Sequence, residues 1–502
     1  MKKYKYIQFL AFAGVLFVNS CSKDWLEVKP TGKIEPGTYY NTDQEIQNAV
    51  ISIYDCISSL DQNNNGWSSN FIMRNLPGDD VNCGGGGASD QAQYQAIDDF
   101  NWTPSNQGIA NFWSNDYFGI YRSNLVIENV KSTSTLAKRS IAEAKFFRAY
   151  FYLDLVMCFG DVPLYTTSSK SLSDYGVRAP QAEVYTQIVK DLNEAITDLS
   201  NKNDYSVTEK FRVSKQAAQA LLGKAYLYQK NWSAAVTAFE SVIATEGTQV
   251  GLYPNFEDLT KQVSEFGIES LLEADFINEG KDWGNVQWNR IANDNRHIQL
   301  CGPRSDLGGT IGIRPGWGFL PPTAKLYNMI SAADPRKQYT ILSNADLAAF
   351  GSSFADGWDT EGMVRRKYTT FATETTGANG ATPELNFGTN WRLIRYADVL
   401  LMAAEAYYMA GDENSARTQI NKVRARVGYT STTATGTALL DVIKYERMIE
   451  LAYEGTRFWD LVRWGDAATE LTSLGFVAGK HEHFPIPEQE INGGKATQNP
   501  GY

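Results

Sequence analysis

The stretch from Trp283 to Trp317 concentrates the residue types that grip a polyhydroxylated ring. Trp283, Trp288 and Trp317 share it with Asn289, Arg290, Asn293, Asp294, Asn295 and Arg296. The C–H face of a sugar is apolar and slightly positive, so it stacks on the π face of an indole, while its hydroxyls need donors and acceptors at the rim. Trp283, Trp288, Trp317, Arg290, Asn293 and Arg296 are therefore candidate ligand contacts. The competing role for a loop tryptophan is to pin its loop to the scaffold.

Other chemistries fit less well. A glycosidase needs two carboxyl groups about 5 to 9 Å apart. Asp79 and Asp80 are neighbours, and neighbouring side chains point opposite ways in an extended segment. Glu450 and Glu454 read as one helix face that also carries Arg447 and Arg457, the pattern of an ion-paired structural helix. No GxSxG, HExxH or phosphate-loop pattern occurs. His481-Glu482-His483 offers two imidazoles without a third ligand nearby, so no metal is expected, and nothing calls for a cofactor. Cys56, Cys83, Cys158 and Cys301 lack CxxC spacing, and three disulfide pairings or free buried thiols all stay open.

The chain carries 46 Lys+Arg against 57 Asp+Glu, a net charge of −11. Nucleic acid and anionic membrane surfaces are thereby disfavoured as partners. Lys2, Lys3 and Lys5 precede an apolar run from Ile7 to Val18, broken only by Gln8, and then Asn19, Ser20 and Cys21. That order is a secretory signal over residues 1–20, too short to span a bilayer, which takes about 20 apolar residues. Val18-Asn19-Ser20-Cys21 also resembles a lipobox, in which the cysteine is acylated and becomes the new N-terminus. Asn19 is larger than the usual occupant, and the alternative is plain cleavage beside an unmodified Cys21. No later apolar run approaches membrane-spanning length, so residues 21–502 are expected to be soluble apart from the lipid.

The scaffold is legible as a repeat. Residues 216–244 and 397–425 align, with Ala225-Tyr226 on Ala406-Tyr407 and Asn231 on Asp412. Asn231 and Asp412 are each suited to capping a following helix. In those helices Ala235, Phe239 and Val242 match Ala416, Ile420 and Val423 at i, i+4, i+7. The spacing predicts tetratricopeptide-like helical hairpins, with further helices at 43–59, 113–130, 141–159 and 182–199. Helical repeats are thus expected at about 141–244 and 395–427. Length alone suggests about three domains, but hairpins of this kind must stack to bury their faces, which favours one superhelical scaffold. Residues 61–108, 247–323 and 343–391 do not read as helix. They form the long loops, the largest of them a loop-rich insertion at about 247–391, and hold Trp67, Trp283, Trp288, Trp317, Trp358 and Trp391. Trp102, Trp113, Trp232, Trp459 and Trp464 read as core.

Four blocks resemble the SusD/RagB family of nutrient-binding outer-membrane lipoproteins. They are Ala144 to Tyr150 running on to Phe159-Gly160-Asp161-Val162-Pro163-Leu164; Arg395 to Met402 with Glu405-Ala406; Glu446-Arg447 through Arg463-Trp464; and Pro485-Ile486-Pro487 with Gln498 to Tyr502. The resemblance implies a mostly α fold in which loops on a tetratricopeptide-like scaffold build a binding face. It implies capture of a glycan without catalysis and delivery to a TonB-dependent barrel of the SusC type. The chain would be lipid-anchored through Cys21 and face outward from the outer membrane. It also implies a second contribution to the binding face from residues 61–95, adding Trp67, Asn70, Asp80 and Tyr94 to the candidates, with Arg74 and Asp79 nearby. Peptide capture by the same architecture, a surface glycoside hydrolase and a protein-binding scaffold are the alternatives.

Overall fold

The computed structural model describes residues 39–58, 69–168, 176–278, 280–284 and 295–502. Cys21 with the signal segment, and the candidates Trp67, Trp288, Arg290 and Asn293, lie outside the described residues. The leading helices are α1 (Asp43–Ser58), α2 (Asn70–Asn75), α3 (Ala92–Asp98), α4 (Gln107–Asn129), α5 (Thr135–Phe159), α6 (Gln181–Asp198), α7 (Lys215–Tyr228) and α8 (Trp232–Ile243). After the insertion come α11 (Tyr396–Met409), α12 (Glu413–Arg426), α13 (Gly436–Glu450) and α14 (Arg457–Trp464). Among the short helices within it are α9 (Arg296–Cys301) and α10 (Ala324–Met329).

Helix starts follow local chemistry. Asn106 caps α4 by accepting from the Ile109 amide at 3.2 Å, and Ser134 caps α5 by accepting from Ala137 at 3.1 Å. Both helices therefore begin several residues before the apolar periodicity does, at Gln107 and Thr135 rather than Trp113 and Ile141. Asn231 and Asp412 cap α8 and α12 as their repeat position predicts, accepting from Ala234 and Ser415.

Packing runs through the stack in the order α4, α5, α6, α7, α8, α11, α12, with α13 closing on α11 and α12. The central helices are buried nearly all round: every residue from Phe146 to Val156 of α5 and from Tyr396 to Tyr407 of α11 is buried. Small residues set the spacing. A Cβ on Gly223 would lie 2.3 Å from the Phe239 ring, so α7 and α8 approach only because that side chain is absent.

The insertion leaves and rejoins the stack through one antiparallel pair, β3 (Ser270–Ala274) with β6 (Trp391–Arg395), where Leu272 faces Ile394. Two further pairs, β1 (Val162–Pro163) with β2 (Arg178–Ala179) and β4 (Ile341–Ser343) with β5 (Met363–Arg365), are local. Leu307, Ile313, Leu342, Val364 and Phe371 give the insertion a small core of its own.

Candidate functional site

One pocket forms where α2, α4 and α9 meet β6. Ser69 caps α2 by accepting from the Phe71 and Ile72 amides, and its Oγ also lies 2.5 Å from His297 Nδ1. The Phe71 ring stands edge-on to Trp391, 4.5 Å between centroids. Together they frame a space of about 320 Å³ lined by Asn70, Arg74, Asn115, Asp116, His297 and Trp391.

Its polar groups are largely neutral at pH 7. Burial pushes the Asp116 carboxyl up to about 8 against the pull of Arg74 and the hydrogen bond from Asn70 Nδ2, 3.1 Å to Oδ1. Its Oδ2 finds no hydrogen-bond partner among the described residues. Burial, helped by the Arg365 charge, pulls His297 down to about 3, so the imidazole is uncharged. Arg74 is matched by an ion pair with Asp154. A protonated carboxyl, two amides and a neutral imidazole suit hydroxyl groups better than ions.

A second pocket of about 400 Å³ opens between Trp358, Arg304, Phe319, Cys301, Met363 and Arg365. Three distant stretches build it. Gly85 N donates to Gly318 O at 2.8 Å, Leu320 N donates to Cys83 O at 3.0 Å, and Gly84 N donates to Asp359 Oδ2 at 3.3 Å. Gly84 has φ of 71°, and a Cβ there would meet Gly318 O at 2.1 Å, so the glycine run serves a close backbone crossing. Trp358, 46% exposed, is one of the loop tryptophans that the sugar-stacking pattern passes over. The signal was present: Asp356-Gly357-Trp358-Asp359 has the same aromatic and polar mixture as 283–296.

The described candidates divide. Asn70 lines the first pocket. Trp283 is 51% exposed, on a segment fastened by Asn386 Oδ1 accepting from Lys281 N at 2.8 Å. Trp317 is half-buried against the main core, and its carbonyl accepts from Arg304 at 3.0 Å. Asp80, Tyr94 and Arg296 are enclosed by protein, 4%, 0% and 3% exposed. Tyr94 stands edge-on to Phe319, behind the second pocket. Of the core tryptophans, Trp102, Trp113 and Trp459 are buried, while Trp232 and Trp464 are half-buried against the core.

The comparisons with known proteins agree with this architecture. The profile described as "Starch-binding associating with outer membrane" matches residues 24–227, and that of the SusD family matches 276–474. A solved laminarin-binding SusD-like protein is 35% identical, superposes with a TM-score of 0.83, and covers 92% of this chain and 100% of its own. The chain belongs to the SusD family. SusD-like protein P2 of Formosa agariphila is 28% identical over the full length of both chains. A surface glycan-binding protein A of Bacteroides thetaiotaomicron, solved with laminarihexaose, is 25% identical with a TM-score of 0.78, covering 91% of this chain and 100% of its own. Membership places the protein at the outer-membrane surface.

In this SusD-family chain the carboxylates that invite a glycosidase reading are structural. Glu450 Oε1 takes Arg395 Nη1 at 2.7 Å, and its Oε2 takes Arg426 Nη2 at 2.5 Å and Arg336 Nη1 at 3.1 Å. Burial opposes its ionisation, but Arg426, Arg395 and Arg336 outweigh it and hold the carboxyl well below the usual range. The sequence reading is corrected in its partners: α13 ends at Glu450, so Glu454 is not on its face, because Tyr453 at φ 64° turns the chain. Glu454 binds Arg395 and Lys367; Arg447 binds Asp398 and Asp460; Arg457 binds Asp79. His481 accepts from the Val477 amide through Nδ1. No group of three His, Cys, Asp or Glu arranged for a metal occurs among the described residues. Cys56, Cys83, Cys158 and Cys301 are free, buried thiols.

Proposed function

We propose that this protein captures an oligosaccharide at the outer-membrane surface without turning it over, using the face above the Asn70 pocket. The observation that carries the reading is the Ser69–His297 contact. It fastens the start of α2 to α9, and so fixes one wall of the pocket that Asn70 and His297 line. Asn70 supplies a polar contact in the pocket. The loop candidates Trp67, Trp283, Trp288, Trp317, Arg290 and Asn293 are assigned stacking and hydrogen bonding to the captured chain, while Arg296, Asp80 and Tyr94, enclosed by protein, support the loops from within. Laminarin and laminarihexaose, each named for one solved relative, are the first ligands to try.

Residues 21–502 act as one SusD-like unit, held to the membrane by a lipid on Cys21 and passing ligand to a SusC-like TonB-dependent barrel. Calorimetry of the detergent-solubilised full chain against laminarihexaose and a glycan panel tests the capture step. Binding that Asn70→Ala and Trp288→Ala each weaken at least about tenfold supports the site. Undiminished binding in both variants removes it, and a response to oligopeptides alone would replace glycan with peptide. Fatty-acid labelling lost in Cys21→Ala checks the tether.

A further inference from the structure

The second pocket differs from the first in its charge. Arg365, at the end of β5, is 2% exposed, and its Nη1 and Nη2 meet no oxygen acceptor among the described residues; the neighbouring Cys301 thiol is a weak one. Its guanidinium carbon lies 4.4 Å from the Tyr453 ring centroid and 5.6 Å from that of Phe71, so aromatic faces rather than carboxylates surround it. The Cys301 thiol on the same pocket wall is kept neutral by burial, which Arg365 only partly offsets. Asp80, the nearby acid, is pushed up to about 7 by burial and by Asp79 against the pull of Arg457 and Arg365, so it offsets the guanidinium only in part near neutral pH. Buried donors of a charged group left unmatched are costly. A ligand that supplies acceptors removes that cost.

The rest of the pocket is shaped for a ring. Trp358 is held at the rim by its indole N–H donating to Gln95 Oε1 at 3.5 Å, and Phe319 and Met363 form apolar wall. Arg304, with its side chain 52% exposed, adds a second cation at the mouth, and its nearest acid, Asp90 Oδ2, is 3.7 Å away.

We infer that this pocket is a second saccharide site, selective for a sugar bearing an anionic group, a carboxylate or a sulfate ester, which Arg365 and Arg304 receive while the ring stacks on Trp358. The inference rests on the capture reading but on different residues. The chain is acidic overall, so the selectivity is local to two arginines.

The test is calorimetry of the full chain in detergent with three linear oligosaccharides of equal length: a neutral glucan, an oligouronate and a sulfated oligosaccharide. At least one anionic arm is expected to bind about tenfold or more tightly than the neutral one, and which arm does so identifies the group. Trp358→Ala and Arg304→Ala, both at exposed positions, should each weaken anionic binding, and Arg365→Gln should abolish the preference. Equal binding of all three, or anionic binding unchanged in Trp358→Ala and Arg304→Ala, overturns the inference while leaving the capture reading standing. Failure of every saccharide overturns both.

Discussion

The hairpins α7–α8 and α11–α12 are held by apolar surfaces that repeat along the chain, whereas the stretch inserted between them is fastened to the same stack by buried charge. In the hairpins Ala235, Phe239 and Val242 occupy the places of Ala416, Ile420 and Val423, all buried. At the insertion, Arg336 reaches Glu446 and Glu450, Lys367 reaches Glu454, and Arg395 bridges Glu269, Glu450 and Glu454. Apolar contacts tolerate exchange among similar volumes. A buried ion pair adds little net stability, yet losing one partner leaves a charge without compensation. The stack thus needs only the right pattern, while the loops that build the binding face need particular partners.

Removing Glu450 should break the charged region hardest. Glu450→Ala leaves Arg336, Arg395 and Arg426 facing a void, with an expected loss of about 3–5 kcal/mol in urea unfolding. A loss below about 1 kcal/mol would erase the distinction between the regions.

Truncating the apolar region should come next. Phe239→Ala removes the ring that Gly223 accommodates, for about 3–4 kcal/mol, and should leave glycan affinity in the folded protein unchanged. A coupled loss of binding would show that the hairpin and the loops are not separable.

Acid and base should act with opposite sign on the ion-paired carboxylates that fasten the insertion and on the unpaired carboxyl of the first pocket. Glu450, Glu454 and Asp460 are held below their usual values by arginine and lysine partners that outweigh burial. Their contribution is present above the unfolded-state value and lost as pH falls through the folded one. Asp116, raised from 3.8 to about 8 by burial, contributes fully below pH 3.8 and loses that contribution as pH rises toward 8. Asp116→Asn should therefore be more stabilising, relative to the parent, at pH 8 than at pH 5. Melting temperatures at the two pH values decide it, and an unchanged difference would mean that Asp116 is ionised.

Smaller effects belong to the stack's periphery. Asp412→Ala should lose about 1 kcal/mol through the missing cap on α12. Lys422→Ala breaks a half-exposed pair with Glu246 and should change stability by less than about 1 kcal/mol in the same urea assay. Equal losses in the two variants would show that capping contributes nothing special here.

Much of the scaffold was legible because its determinants are local. Period, cap and small-residue spacing put α7, α8, α11 and α12 within a residue or two of their observed bounds. The ion-paired character of Glu450 and Glu454 was legible too, but not their partners. Sequence spacing offered Arg447 and Arg457, whereas the folded chain supplies Arg336, Arg395, Arg426 and Lys367 from other elements. In the loops, residue type marked Asn70 and Trp283 but could not separate them from Tyr94 and Arg296, which the fold encloses.

By itself the sequence determined the helix pairs, their stacking and the family, since each depends on residues whose relationship is a fixed offset along one chain. Only the tertiary structure decided which tryptophan faces outward and which arginine is left without a counter-ion. Trp358 and Arg304 meet at one rim because the Gly84 crossing, β5 and the 300–322 segment arrive there together. No local propensity encodes that arrival, because Arg365 is no more buried than the paired Arg336 and Arg395, and differs from them only in the groups that distant elements place around it.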